Sequence, residues 1–236
     1  MIYTTDANSI QEPLDALRLP SQDLLKYLVK NLEIFATART GASSFSVKQF
    51  RHGQSNPTYL IQYNNINCVL RKKPPGKILR GAHSIEREAE VLQALSRCGY
   101  PSPRCIHVCH DNSIIGTSFY IMGVVDGVIY KNPRLPTLRN SDRKNIYIAM
   151  VTNLARLHTI KPKEIGLHSF GNAYNYCRRQ IKVWGSQYQQ SVQSTGYRVE
   201  AVEKLSHWLL LHIPRLSTIY FDIYSKVYIR KKIITT

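Results

Sequence analysis

Acidic residues are scarce in this 236-residue sequence, which has 15 Asp and Glu against 32 Lys and Arg and a formal net charge of +17. Such an excess of positive charge favours ligands that carry phosphate, whether nucleotide, nucleic acid or lipid headgroup, without selecting among them. Long apolar runs are also missing, since stretches such as residues 208–211 are far too short to cross a bilayer. No membrane span is therefore expected.

Cysteine is scarce as well. The five cysteines are odd in number and loosely spaced, unlike the dense disulfide framework of a small secreted domain. The first residues contain Asp6 and Glu12 and no apolar core, so no signal peptide is expected. We therefore expect reduced thiols and an intracellular location, with the cytoplasmic, mitochondrial and peroxisomal compartments left open.

The apolar residues that are present follow two different periods in the first half of the chain. Leucines at helical spacing predict one helix over residues 21–36, inside an N-terminal extension at residues 1–40. Strand-like patterns, with a helix at residues 84–98 after the third, predict a lobe at residues 41–122. The predicted strands are residues 46–50, 59–63, 67–71, 105–109 and 117–122. This order indicates an α+β fold with a five-stranded antiparallel sheet and one inserted helix.

The second half of the chain is predicted to be helical. Residues 123–214 contain amphipathic stretches that would be the first helices of a second lobe. These predicted helices are residues 141–158, 173–190 and 199–212. Residues 215–236 form a divergent basic tail rich in Tyr, Ile and Val, which is strand-prone or disordered rather than a further helix.

Three features of the first lobe follow one another in an order that suits phosphate binding. A glycine-containing turn between the first two strands can present backbone N–H groups to phosphates. The turn consists of Gly53, Gln54, Ser55 and Asn56. A cation, Arg71, ends the third strand, and the carboxylate of Glu88 on the following helix can hold it. Taken alone, the turn is an ordinary turn and the pair is a surface ion pair of little energy, but the ordered set indicates a binding site.

These residues lie within longer motifs that resemble a known family. The motifs are HGQSNPTYLI (52–61), CVLRKKPPGKIL (68–79), AHSIEREAEVLQAL (82–95), SIIGTSFYIM (113–122) and LARLH (154–158). They resemble the aminoglycoside-phosphotransferase-like family, and more closely the kinase-like domain at the N-terminus of the tenth and eleventh acyl-CoA dehydrogenase family members. The resemblance runs from about Ser46 to Pro214 and weakens after Phe170.

The resemblance implies a protein-kinase-like fold with a complete N-terminal lobe, a partial helical second lobe and ATP between them. It implies that adenine lies against the connector at Met122 and Val124, that the phosphates lie under the turn at residues 53–56, and that Arg71 pairs with Glu88. It also implies a small hydroxylated substrate, a hydroxyacyl-CoA thioester that feeds fatty-acid oxidation.

The carboxylates that such a reaction requires are missing from the sequence. Phosphoryl transfer needs a group that positions the attacking hydroxyl and carboxylates that hold Mg²⁺. The family supplies them on a His-Gly-Asp-x-x-x-x-Asn loop and a later Asp, but no His-Gly-Asp occurs here, and Asp222 is the only Asp after Asp142. We therefore expect a C-terminally truncated family member with an incomplete Mg²⁺ site and no catalysis of its own. The alternative is a non-catalytic module that binds nucleotide or acyl-CoA and regulates a relative.

Other residues suggest further sites. Cys105, His107 and Cys109 can share one strand face and begin a zinc site, but a second ligand pair at finger-like spacing is missing. His158 is interpreted as a hydrogen-bonded core histidine. The basic stretch at residues 71–80 is predicted to be an exposed loop that contacts a phosphate-bearing ligand such as a nucleotide or a coenzyme A thioester. No motif of a nucleic-acid-binding module accompanies the basic tail, and apolar helix faces without a covering lobe predict self-association.

Overall fold

The computed structural model describes the greater part of the chain. The described residues are 10–38, 44–51, 56–75, 84–128, 130, 132–171 and 175–213. They divide into two compact units, one containing the described residues up to Leu167 and the other beginning at His168. The predicted boundaries at residues 40, 122 and 214 stay predictions.

Within the described residues, six strands form one antiparallel sheet. The strands are β1 (Ile10–Gln11), β2 (Phe45–Phe50), β3 (Thr58–Tyr63), β4 (Ile66–Lys72), β5 (Cys105–Cys109) and β6 (Phe119–Gly123). They lie in the order β1-β2-β3-β4-β6-β5, and β2 to β6 are the five strands that the sequence predicts. The sixth strand, β1, pairs Ile10 with Phe50 and Gln11 with Gln49. A strand of two residues is too short to show an alternating pattern in the sequence, so the prediction counted five strands and missed β1.

Helices account for most of the remaining described residues. The helices are α1 (Ser21–Asn31), α2 (Glu33–Thr37), α3 (Ile85–Arg97), α4 (Asn140–Thr159), α5 (Tyr176–Thr195) and α6 (Glu200–Leu211). Short 3₁₀ turns occur at Asp15–Leu17 and Pro162–Ile165. The single helix predicted over residues 21–36 is two helices, because Leu32 has an extended backbone with φ −124° and ψ 116°. The apolar spacing continues across this break, so periodicity alone does not reveal it.

Residues 19–38 cover one face of the sheet. Leu24, Leu28 and Phe35 are fully buried and belong to one apolar cluster with β3 and β4 side chains. The hydroxyl of Tyr59 on β3 donates a hydrogen bond to the carbonyl of Leu17 at 2.7 Å. The segment predicted as an extension is therefore part of the hydrophobic core of this unit.

The opposite face of the sheet packs against α3. Ile85 and Ala89 of the helix are buried in a cluster with Val69 of β4 and Tyr120 of β6. Successive residues of a strand point to opposite faces, so Arg71, two residues after Val69, also points towards α3. The pleat of β4 thus places the predicted cation beside the predicted carboxylate.

Apolar side chains remain exposed on the later helices. On α4, Ile148 and Val151 are more than half exposed, and Trp184 of α5 and Trp208 of α6 are similarly exposed. Self-association through these faces stays a prediction. In the part of the chain that the structure describes, no helix has the length and apolar character needed to cross a bilayer.

Candidate functional site

Arg71 and Glu88 form the central ion pair of the site. The Arg71 Nε lies 2.7 Å from Glu88 Oε2, and the Arg71 Nη2 donates to Glu88 Oε1 at 3.3 Å. The two side chains are only 11% and 23% exposed, and a forked pair with little solvent around it is stronger than an open surface pair. The predicted pairing is therefore confirmed, and the interpretation as an exposed surface pair is wrong.

Asn56, the last residue of the predicted phosphate turn, points at the same carboxylate. Its Nδ2 donates to Glu88 Oε1 at 2.9 Å, and the residue is 1% exposed. Its backbone carbonyl accepts a hydrogen bond from the Thr58 hydroxyl at 3.0 Å. Gly53, Gln54 and Ser55 lie outside the described residues. The Asn56 side chain thus links the end of the turn to α3, and phosphate binding by the turn stays a prediction.

Tyr120 is a member of the site that the sequence did not reveal. Its hydroxyl donates to Glu88 Oε2 at 3.2 Å, and it is the cross-strand partner of Arg71 in the pairing of β4 with β6. In the sequence it is one apolar residue of a strand, 32 positions from its carboxylate partner. The signal that would have identified it is the β4–β6 register, which places it beside Arg71 on the α3 face.

The predicted adenine contacts lie on the same face of the sheet. Met122 is buried in the apolar cluster that packs on α3, opposite Val69 of β4. Val124 is partly buried and packs against that cluster. The structure therefore brings the described members of the predicted site to one side of the sheet, while their contact with a nucleotide stays a prediction.

A second ion pair lies beside the first. Lys73, just after β4, bonds the carboxylate of Glu86 in the first turn of α3. The Ser118 hydroxyl, just before β6, donates to Glu86 Oε1 at 3.1 Å. Burial raises the pKa of the Glu86 carboxyl. The hydrogen bond and positive charge of Lys73 and the hydrogen bond from Ser118 lower it by more, so the pKa lies below its usual value. Both carboxylates in the first turn of α3 therefore fasten the helix to the sheet.

This pair makes a specific prediction about acid stability. Because the pKa of Glu86 is lower in the folded chain than its ordinary value of 4.5, its stabilising effect is present above that value and is lost as pH falls through the folded pKa. Glu86→Gln should lower the free energy of unfolding by about 1 kcal/mol at neutral pH. The difference in free energy of unfolding between this variant and the native chain should shrink to near zero on acidification. Urea unfolding at a series of pH values measures it. Glu90→Gln on the same helix is the matched control. A difference in free energy of unfolding between Glu86→Gln and the native chain that stays constant down to low pH contradicts the prediction.

The basic stretch at residues 71–80 differs from the predicted exposed loop. Arg71 and Lys72 belong to β4 and are buried, and burial lowers the pKa of Lys72. Lys73 is held by Glu86. The prediction of an exposed loop is wrong for Arg71 and Lys72, and residues 76–80 lie outside the described residues. Tertiary pairing of β4 with β6 buries cations that composition alone assigns to solvent.

The other candidate residues behave as follows. The Nε2 of His107 lies 2.7 Å from the Tyr27 hydroxyl, and an irregularity between Cys105 and His107 breaks the regular strand pairing there. Within the described ranges, no group of three or more His, Cys, Asp or Glu residues is placed to hold a metal ion.

His158 is exposed, so the interpretation as a core histidine is wrong. Asp222 lies outside the described residues.

Comparison with known proteins relates this arrangement to a family. Residues 46–223 match the family model described as "Phosphotransferase enzyme family". The match starts at Ser46, where the resemblance of the motifs begins, and ends beyond Pro214.

Two curated relatives and one solved structure show how far the similarity extends. The chain is 44% identical over 199 residues to acyl-CoA dehydrogenase family member 10 of Mus musculus, covering 84% of this chain and 18% of that protein. It is 37% identical over 210 residues to acyl-CoA dehydrogenase family member 11 of Homo sapiens, covering 89% of this chain and 26% of that protein. It thus spans only a fraction of the length of these relatives.

The solved structure comes from Ralstonia eutropha and is assigned as an aminoglycoside phosphotransferase. It shares 33% sequence identity at a TM-score of 0.63, covering 84% of this chain and 55% of that one. This similarity confirms the expected α+β, kinase-like fold, with six strands in the sheet instead of five.

Proposed function

Because the chain belongs to the phosphotransferase enzyme family, we propose that it forms the nucleotide-binding part of a kinase-like phosphotransferase that uses ATP. The observation that carries this proposal is the partly buried ion pair between Arg71 and Glu88. In kinase folds, a cation on a central strand that is held by a carboxylate of the inserted helix contacts the nucleotide phosphates. Here both partners occupy those positions, on β4 and on α3.

The proposed role of Arg71 follows from its chemistry. A guanidinium carries five N–H donors in a rigid plane, and two of its nitrogens contact Glu88: Nη2 donates a hydrogen bond to Oε1, and Nε lies 2.7 Å from Oε2. A cation held in this way has a fixed orientation before any ligand arrives, so little ordering cost remains for binding. We place the ATP phosphates against this guanidinium and under the turn at residues 53–56, with adenine against Met122 and Val124.

The 236 residues are not proposed to transfer phosphate by themselves. They contain no His-Gly-Asp sequence, and Asp222 is the only Asp after Asp142, whereas the reaction needs both a positioning group for the hydroxyl and carboxylates for Mg²⁺. Those groups would have to come from residues outside this stretch. The relatives' designation as acyl-CoA dehydrogenase family members favours a hydroxylated acyl-CoA thioester as the substrate class.

Thermal unfolding with ATP tests this function. At an ATP concentration a hundredfold above the Kd, binding to the folded state alone should raise the Tm of the chain by about 5 °C or more. The shift should also appear without Mg²⁺, because the proposed contacts are made by Arg71 and not by a metal. Adenosine, which lacks phosphates, is the matched control ligand.

A parallel assay follows transfer of the ATP γ-phosphoryl group to a hydroxyacyl-CoA. No transfer is expected from the 236-residue chain. Transfer would contradict the absence of catalysis, and a Tm unchanged by ATP would contradict nucleotide binding.

A further inference from the structure

The Glu88 carboxylate accepts hydrogen bonds at both of its oxygens from three different residues. Oε1 accepts from Asn56 Nδ2 at 2.9 Å and from Arg71 Nη2 at 3.3 Å. Oε2 lies 2.7 Å from Arg71 Nε and accepts from the Tyr120 hydroxyl at 3.2 Å. An ionised carboxylate has about four lone-pair sites; three hydrogen bonds reach this one, and Arg71 Nε adds a close ionic contact. Its rotation is therefore fixed by the surrounding residues.

The two neutral donors bond different oxygens of the carboxylate. Asn56 lies just before β3 and Tyr120 lies on β6, and they are 1% and 3% exposed. The Tyr120 ring packs in the apolar cluster under α3, while its hydroxyl is the one polar atom that the side chain brings to the site. Burying a hydroxyl is favourable only when it is hydrogen-bonded. The position of this hydroxyl is thus tied to the position of Glu88.

We infer that Tyr120 is a positioning residue of the nucleotide site, an inference that rests on the proposed function. Its hydroxyl orients the Glu88 carboxylate, and the carboxylate orients the guanidinium of Arg71 towards the phosphates. Tyr120 does not touch the nucleotide in this arrangement. Asn56, the last residue of the predicted turn at residues 53–56, has a parallel role at the other oxygen of the same carboxylate.

The substitution Tyr120→Phe removes only the hydroxyl, since phenylalanine retains the ring that fills the cluster. The Kd for ATP should rise about fivefold, and the Tm of the ligand-free chain should fall by only about 2–4 °C, as loss of one hydrogen bond implies. Tyr63→Phe is the matched control, because Tyr63 is a buried tyrosine of the same sheet that stacks on Phe35 on the opposite face. An unchanged Kd in Tyr120→Phe, or an equal rise in Tyr63→Phe, overturns the inference.

A second readout separates positioning from general stability and needs no nucleotide. The ¹⁵N–¹H resonance of the Arg71 Nε–H reports on its 2.7 Å contact with Glu88 Oε2 in the ligand-free chain. This resonance should move or broaden in Tyr120→Phe and stay in place in Tyr63→Phe. An Arg71 resonance that is unchanged in Tyr120→Phe contradicts the positioning role even if ATP binding weakens.

The two readouts also distinguish this inference from the proposed function. Failure of the native chain to bind ATP would overturn the function, and it would overturn the claim that Tyr120 serves a nucleotide site. The Arg71 resonance would still report whether Tyr120 orients the ion pair. A double variant supplies the last check: in a Glu88→Gln background, Tyr120→Phe should change the Arg71 resonance far less than it does in the native chain. An equal change in both backgrounds would show that Tyr120 does not act through Glu88.

Discussion

Glu88→Ala lowers the affinity for ATP by about tenfold or more and the free energy of unfolding by about 2–3 kcal/mol. The loss of affinity follows because Arg71 no longer has a partner that fixes its orientation. The loss of stability follows because the hydrogen bonds from Arg71, Asn56 and Tyr120 to this carboxylate are removed together. Calorimetric titration with ATP and urea unfolding measure the two effects separately.

Two further variants make this result specific. Glu90→Ala, on the same helix, is the matched control and should leave ATP affinity unchanged. Combining Glu88→Ala with Arg71→Met removes the uncompensated cation, so part of the lost stability should return while ATP affinity stays low. Native-like ATP affinity in Glu88→Ala would refute the placement of the phosphates at this pair.

Phe35→Ala lowers the free energy of unfolding by about 3–5 kcal/mol. Phe35 is fully buried between α2 and the sheet, where its ring stacks on Tyr63. Truncation leaves a cavity in the cluster that joins residues 19–38 to β3 and β4. Urea unfolding monitored by circular dichroism measures the loss.

The neighbouring Ile34 provides the control for this prediction. It lies on the same short helix but is 42% exposed, so Ile34→Ala should cost about 0.5 kcal/mol or less. If Phe35→Ala costs no more than Ile34→Ala, residues 19–38 are a separable extension and not part of the core.

Local patterns in the sequence predict most of the first unit. Alternation identifies β2 and β3, and the apolar face of α3 with Gly99 after it identifies that helix. The Arg71–Glu88 pair is also predictable, because the order of strand, cation, helix and carboxylate along the chain is itself the signal. The resemblance to a known family adds the expectation of a nucleotide whose phosphates lie at this pair, and that expectation stays a prediction.

Features that depend on the register of distant strands are not predictable in this way. Tyr120 reaches Glu88 only because β6 pairs with β4 so that it faces Arg71. Lys72 is buried because the same pairing extends to Phe119, although a run of cations and prolines is typical of a loop. His158 is the opposite case, because it was predicted to be buried and is exposed. The apolar pattern of α4 does not reveal which face of the helix is covered.

Calorimetric titration of ATP and of AMP into the native chain without Mg²⁺ tests the central claim most directly. The claim is that a preformed pair of Arg71 and Glu88 holds nucleotide phosphates. It predicts that ATP binds, that AMP binds about tenfold more weakly because it offers fewer phosphates to the cation, and that Glu88→Ala removes this preference. Equal affinity for ATP and AMP, or no binding of ATP, would contradict it.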